Sequence, residues 1–373
     1  MKKMTLEAAM TEALIEERKR DAKVVVLGEN STTGAGLMNH AAFDKEYPDS
    51  VINMPVCEQL ISVTAVGMAL EGLKPIAEFD FQDFMSLGFD GIVNEAAKVR
   101  FWSRGKVCLP IVYMAAGGMM AGLGCNHSQQ VEAWFANVPG IKICIPSTAA
   151  DTKGLLKTAI RDTDPVIFLF NRSLTYVEDV IPEGEYTVPM GKARIAKEGT
   201  DVTVVCWHSA YVYTMELVEE LEKDGISVEV IDPLTLNPLD MDTIIKSVQK
   251  TGRLIVSHEA PYKFGAGTEI VAQVAEHCRE YLKADPKRVC SPRTAIPSGE
   301  SEFRALLKRR DIAEAIFAMM GKEMPEKEIY TAPNSSMDFF SFTGSEIYDP
   351  KNPHGKDSAI ETTIGEHGVS VFS

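Results

Sequence analysis

Residues 51–70, Val51-Ile-Asn-Met-Pro-Val-Cys-Glu58-Gln-Leu-Ile-Ser-Val-Thr-Ala-Val-Gly-Met-Ala-Leu70, carry the reading on which the fold turns. The run 51–54 is short and apolar, as a buried strand is, and Pro55 ends it. From Glu58 to Leu70 apolar residues dominate, and the length suits a covered helix. A buried strand turning through a few residues into such a helix is half of a βαβ unit. Glu58 sits where that strand ends, the place where open α/β sheets bind ligands. Among Met54, Pro55, Val56, Leu60 and Ile61 a carboxyl is disfavoured as an anion and can share a proton. Equally, a glutamate in a first helical turn favours the helix dipole. The residues alone leave both readings open.

The same rhythm continues on both sides of this unit. Residues 5–20 predict an amphipathic helix with Thr5 as its cap, and residues 23–28 a buried strand running into Glu29. Downstream, 74–81 reads as a strand, 83–102 as a helix, 107–115 as a strand, 129–136 as a helix and 141–145 as a strand. A helix at 151–162 and a strand at 165–170 close the series. Apolar strands alternating with helices predict a parallel sheet covered on both faces. Residues 171–193 break the pattern with prolines, glycines and acids, which places a domain boundary near residue 185. Strands at 201–207, 227–231 and 253–258, with helices at 211–223, 241–250 and 267–281, then form a second α/β domain. The expected division is 1–185, 186–325, and a polar tail at 326–373.

Bulk composition excludes several functions. The chain has 373 residues, 45% apolar and 24% charged, and a net charge of −15. That charge, with no basic run against it, argues against nucleic acid. No apolar run is long enough for a membrane span, and the N-terminus lacks the apolar core of a signal peptide, so a cytoplasmic protein is expected. Seven cysteines, at 57, 108, 125, 144, 206, 278 and 290, form no CxxC pair. They read as reduced, mostly buried thiols, with no zinc site. No G-x-G-x-x-G follows a strand: Gly34-Ala-Gly36 runs into Leu-Met-Asn-His, and Gly265-Ala-Gly267 lacks the third glycine. Nicotinamide and flavin binding are therefore unsupported, and no P-loop, G-x-S-x-G or H-E-x-x-H occurs.

Chemistry-bearing residues cluster at three strand ends. Glu29 and Asp80 close two predicted strands. Asp83 and Phe84 follow the second, and Phe84 reads either as core or as a face for a flat ring. The third is Gly117-Gly-Met-Met-Ala-Gly-Leu-Gly-Cys-Asn-His127-Ser-Gln-Gln130, where small residues deliver one histidine into a polar turn. Its glycines would let the backbone approach something large and flat. Histidine suits proton transfer at neutral pH, although a surface loop with an incidental histidine looks the same.

Taken together, these residues resemble a known family. Pro55-x-x-Glu58, Glu78-Phe79-x-x-x-Asp83-Phe84, Asn94-Glu-Ala-Ala-Lys98, His127-Ser-Gln129 and Pro139-Gly140 appear in register. So do Gly154-Leu-Leu-x-x-Ala-Ile-Arg-Asp162, Gly191-Lys-Ala193, Pro238-Leu-Asp240, Lys250-Thr-Gly-Arg253 and His258-Glu-Ala260. The set is similar to the β subunit of the thiamine-diphosphate-dependent decarboxylating component of 2-oxo acid dehydrogenase complexes. Acetoin dehydrogenase β subunits share the pattern. The resemblance implies a pyrimidine-binding domain followed by a transketolase C-terminal-type domain. It implies that Glu58 hydrogen-bonds the aminopyrimidine ring nitrogen, that Phe84 packs on that ring, and that His127 assists acyl transfer to a lipoyl arm. Glu29 and Asp80 fall on the cofactor side. Because no Gly-Asp-Gly is present, the resemblance implies that an α subunit holds the diphosphate and Mg2+, with the cofactor shared in an α2β2 tetramer. A lipoyl acyltransferase core is the implied further partner. Relatives hold a structural potassium ion on backbone oxygens, which here would fall near Ala159, Asp162 and Asp164. The chain departs from the family at Asn30, Gly91, Met114, Phe170 and Leu234, positions usually polar or charged. These departures leave the usual ion-pair network and the substrate range open. A split transketolase-like carboligase and a non-catalytic partner are the other readings.

Overall fold

The computed structural model describes residues 1–29, 41–119 and 122–331. Asn30, Gly34 and Gly36 and most of the expected tail, residues 332–373, lie outside the described residues. Strands in the first half are β1 (Lys2–Thr5), β2 (Val24–Glu29), β3 (Val51–Met54), β4 (Lys74–Phe81), β5 (Val112–Gly117), β6 (Lys142–Cys144), β7 (Val166–Asn171) and β8 (Glu178–Ile181). The second half holds β9 (Arg194–Lys197), β10 (Val202–Cys206), β11 (Val228–Asp232), β12 (Thr235–Asn237), β13 (Leu254–Pro261) and β14 (Lys287–Ser291).

Two sheets carry the architecture. The larger runs β12-β6-β7-β5-β4-β2-β3, and all neighbours are parallel except β12. The smaller runs β14-β13-β10-β11-β9, with β9 antiparallel. Continuous apolar runs such as Val-Val-Val-Leu in β2 and Val-Ile-Phe-Leu-Phe in β7 are buried along their whole length, as strands covered on both faces require. The chain is thus a two-domain α/β protein with largely parallel sheets. A two-stranded ribbon, β1 with β8, closes the first domain.

Local capping follows the sequence. Thr5 Oγ1 accepts from the Ala8 amide at 3.2 Å and caps the helix Leu6–Arg20. That helix packs on Ala149–Arg161, where Lys153 and Lys157 are buried yet paired with Glu16. Burying an ammonium is tolerable only with such a partner.

Three expectations need correction. Residues 83–102 are not one α-helix: a 3-10 turn at Gln82–Ser86 comes first, and the helix then runs from residue 89 to Trp102 with a π segment at Gly91–Ala96. The π segment begins at a close approach: a Cβ on Gly91 would lie 2.5 Å from Ser62 Oγ, so the backbone here packs tightly on the helix Glu58–Leu70. The polar tail expected from residue 326 starts packed on the second domain. Tyr330 is fully buried, donates to Asp224 at 2.7 Å and meets the Phe317 ring edge-on. A single aromatic anchor leaves no periodicity to detect. Finally, the cysteines are not mostly buried, because Cys57, Cys108 and Cys125 are exposed.

Candidate active site

Strand order assembles the carboxyls. β2 lies between β3 and β4, so Glu29 at the end of β2, Glu58 just after β3 and Asp80 near the end of β4 share one edge of the sheet. Glu58 opens the helix Glu58–Leu70, and both it and Glu29 are buried, while Asp80 is half-buried. Burial, reinforced by the charges of Glu58 and Asp80, pushes Glu29 up to about 7, against the pull of the Cys57 amide. Burial likewise raises Asp80 to about 6, helped by Glu78 and Glu58. Glu29 Oε1 and Asp80 Oδ1 are buried with no hydrogen-bond partner among the described residues. Each such atom costs about 1–3 kcal/mol, a cost that a ligand donor would remove.

A wall of rings stands where β4 leaves the same sheet edge. Phe81 ends β4 and Phe84 sits on the 3-10 turn that follows. The His127 ring meets Phe81 edge-on at 4.6 Å and Phe84 at 5.2 Å, and the two phenyl rings are 5.4 Å apart. All three side chains are half-buried, so part of each ring is exposed. The turn carrying His127 is pinned from several sides. Asp83 accepts from the Gln129 side chain at 2.7 Å and from its amide at 3.3 Å. Gln82 accepts from the Val131 amide and donates to the Phe170 carbonyl. Arg172 donates to the His127 carbonyl at 2.9 Å and to the Gly118 carbonyl, and its guanidinium lies 5.6 Å over the Phe81 ring. Gly118 has φ +94°, and a Cβ there would come within 2.7 Å of the Asn171 amide.

Carboxylates of the second domain complete the support. Glu259, at the end of β13, accepts from the Met119 amide, from Asn171 at 2.7 Å and from Ser209 at 2.7 Å. Glu302 accepts from Ser128 at 3.0 Å and from the Gly122 amide at 2.8 Å. The C-terminal edges of both sheets therefore meet at the Gly-rich segment. His258, in the same strand as Glu259, is held neutral, pushed down to about 3 by burial and then by Arg288. Its ring stacks on Trp207 at 4.7 Å, which makes it a packing element.

A buried, proton-sharing acidic edge beside an aromatic wall suits a flat heteroaromatic ring with nitrogen donors. Residues 2–177 match the transketolase pyrimidine binding domain and residues 191–310 the transketolase C-terminal domain. The β subunit of a Cupriavidus necator acetoin:2,6-dichlorophenolindophenol oxidoreductase is 39% identical over 307 residues, 79% of this chain and 91% of that one. The pyruvate dehydrogenase E1 component subunit beta of Bacillus subtilis is 37% identical over 317 residues, covering 84% and 98%.

The chain belongs to the β-subunit family of the 2-oxo acid and acetoin dehydrogenases.

A Dictyostelium discoideum member, the 2-oxoisovalerate dehydrogenase β subunit, is 42% identical over 301 residues, 79% of this chain and 81% of that one. The solved structure of a split gene transketolase, an inactive β4 tetramer, overlays with a TM-score of 0.69 at 23% identity. It covers 86% of this chain and 99% of that one, and at that identity the likeness is of fold. Thiamine diphosphate is the cofactor of these domains, and the orphaned oxygens of Glu29 and Asp80 beside buried Glu58 fit its aminopyrimidine. Near Ala159, Asp162 and Asp164 the charges present are side chains: Lys142 reaches both Asp162 oxygens at 2.7 Å, and Arg100 reaches Asp164 at 2.8 Å. The Ala159 carbonyl accepts from the Asp162 amide at 3.2 Å.

Arg172, Glu259 and Glu302 carry the His127 segment, yet sequence reading assigned them no role. Arg172 had a signal, since an Asn-Arg pair follows a buried strand directly. Glu302 had none: it is one acid among many, 174 positions from Ser128.

Proposed function

We propose that this chain forms the pyrimidine side of a thiamine-diphosphate enzyme that oxidatively decarboxylates a 2-oxo acid and passes the acyl group to a lipoyl arm. The observation that carries the reading is the edge of Glu29, Glu58 and Asp80, with unpartnered buried carboxyl oxygens, next to the Phe84–His127 wall. Bound thiamine diphosphate supplies the electron sink for loss of carbon dioxide. Glu58 holds and moves a proton at the ring nitrogen of the aminopyrimidine, in a site from which burial excludes water. Glu29 and Asp80 bind on the same side, and Phe84 packs against the ring. His127, on the braced turn, faces the substrate end and assists acyl transfer.

The diphosphate and Mg2+ belong to an α subunit, since no Gly-Asp-Gly occurs in this chain. Exposed Phe101 and Trp102 offer apolar surface of the kind oligomers cover. Isolated chain should therefore bind thiamine diphosphate poorly, and tight binding in calorimetry without the α subunit would defeat the shared-site reading. An acyltransferase core, a structural potassium ion on backbone oxygens near Ala159, Asp162 and Asp164, and a cytoplasmic location complete the proposal. Potassium dependence of the unfolding temperature checks the ion.

Acetoin cleavage by the same machinery is the second reading. Fully buried Met114 stands where the family usually has arginine, and acetoin has no carboxylate to recognise. Assaying the αβ enzyme on pyruvate, branched 2-oxo acids and acetoin with an artificial acceptor separates the two. Inactivity on all three, with ketol transfer between sugar phosphates instead, would replace both with a carboligase.

A further inference from the structure

Arg172 is the first residue after β7 and opens a 3-10 turn, Arg172–Leu174. Asn171 fixes that turn: its side-chain oxygen accepts from the Ser173 amide at 2.9 Å, while its side-chain nitrogen donates to Glu259 at 2.7 Å. The guanidinium is thereby brought against the Gly-rich run. One of its nitrogens donates to the His127 carbonyl at 2.9 Å and another to the Gly118 carbonyl, so one planar group holds both ends of the run. It also lies 5.6 Å over the Phe81 ring, which the His127 imidazole meets edge-on at 4.6 Å. Backbone and ring of the histidine are set by the same cation.

A cation in this place needs compensation. Arg172 is 9% exposed, and burial pulls its pKa down, while the carboxylates of Glu302, Glu259 and Asp83 oppose the shift. Those same three acids accept from Ser128, from the Met119 amide and from Gln129, all on the run that Arg172 holds. Charge balance alone would be met by any cation. Arg172 adds direction, because guanidinium N–H groups leave in one plane at set angles and reach two carbonyls at once. A lysine brings the same charge from a single point and cannot reproduce that fork.

Direction matters for the step assigned to His127. There a 2-oxo acid and a lipoyl disulfide give carbon dioxide, an acyl thioester and a thiol. The electron pair left by decarboxylation forms the carbon–sulfur bond, the sulfur–sulfur bond breaks, and the departing sulfur takes a proton. An imidazole serving that proton must stand within hydrogen-bond reach of the sulfur, and a misplacement of about 1 Å can cost about 10²-fold. A dye that accepts electrons makes no such demand on His127.

We propose, resting on the reaction proposed above, that Arg172 is a positioning residue for acyl transfer. Through the His127 carbonyl and the Phe81 ring it holds the imidazole where the lipoyl sulfur arrives, and it serves that step more than decarboxylation.

The assembled αβ enzyme carrying Arg172→Lys or Arg172→Met is the test. With pyruvate and 3-methyl-2-oxobutanoate as donors, two rates are read on each preparation: acylation of a lipoylated acyltransferase domain and reduction of 2,6-dichlorophenolindophenol. Their ratio does not depend on how much of the enzyme is folded. It should fall about tenfold in Arg172→Lys, which keeps the charge and so the fold, and about 10²-fold in Arg172→Met. Hydrogen exchange of the peptide 122–131 should quicken about tenfold in Arg172→Lys while β10 exchanges as in wild type. The Gln129 and Val131 amides, which donate to Asp83 and Gln82, report that loosening. An unchanged ratio in Arg172→Lys, or unchanged exchange at 122–131, would make Arg172 a plain structural cross-link and overturn the proposal. A wild type that reduces the dye with neither donor removes the proposed reaction instead, and exchange at 122–131 then decides by itself whether Arg172 positions the turn.

Discussion

Two groups of buried carboxyls lie on one molecule and are treated in opposite ways. At the sheet edge, Glu29 and Asp80 each keep an oxygen with no donor, and burial raises both toward neutrality. At the domain seam, Glu259 is also raised by burial, but three donors counter it, and Glu302 is met on both oxygens. The chemistry of the groups is the same; the difference is whether the protein satisfies them. The seam carboxylates hold the Gly-rich segment in place. Those at the edge leave hydrogen-bonding capacity for a ligand, at an energetic cost that the braced surroundings offset.

The comparison can be broken in order of expected effect. Glu58→Gln should lower turnover of the αβ enzyme by about 10²–10⁴-fold while tetramer assembly, read by analytical ultracentrifugation, is unchanged. Retained turnover would show that the edge is not catalytic. Glu259→Leu should leave three buried donors unmet and cost about 3 kcal/mol or more in urea unfolding. A loss below about 1 kcal/mol would mean that the seam is not the brace described here. Gly118→Ala forces a side chain into the left-handed region against Asn171 and should cost about 1–2 kcal/mol in the same measurement.

The smallest effect concerns pH. Glu29 titrates near 7 in the folded chain against an ordinary 4.5, so the folded state binds the proton more tightly. Stability from this group is therefore full below about 4.5 and declines as pH rises through 7. Asp80 acts with the same sign between its ordinary 3.8 and about 6. Glu29→Gln should flatten the decline of the cofactor-free enzyme between pH 4.5 and 8, by about 1 kcal/mol or less once solvent screening is allowed for. Parallel curves for variant and wild type would remove the buried proton from the account.

Legibility followed the range of the interactions. The strand expected at 74–81 forms as β4 over those same residues, and Thr5 caps its helix, because both depend on near neighbours. The helix expected at 83–102 forms only from residue 89, after a 3-10 turn, and contains a π segment at Gly91–Ala96 where Gly91 packs against Ser62. β12 was not foreseen as a strand: three residues of the second domain pair with β6 at the edge of the first sheet. Nothing in its composition shows which sheet it joins.

By itself the sequence determined the alternation of buried strands and covered helices, the placing of Glu29, Glu58 and Asp80 at strand ends, and membership of a family. These follow from periodicity and from motif order, which a linear chain displays. Only the tertiary structure decided that β2 lies between β3 and β4, so that three separate carboxyls share one edge. It alone decided that Arg172, Glu259 and Glu302 grip the His127 turn. Strand order and seam contacts join residues far apart in the chain, and the cost of leaving a buried polar group unmet can be assigned only once its neighbours are in place.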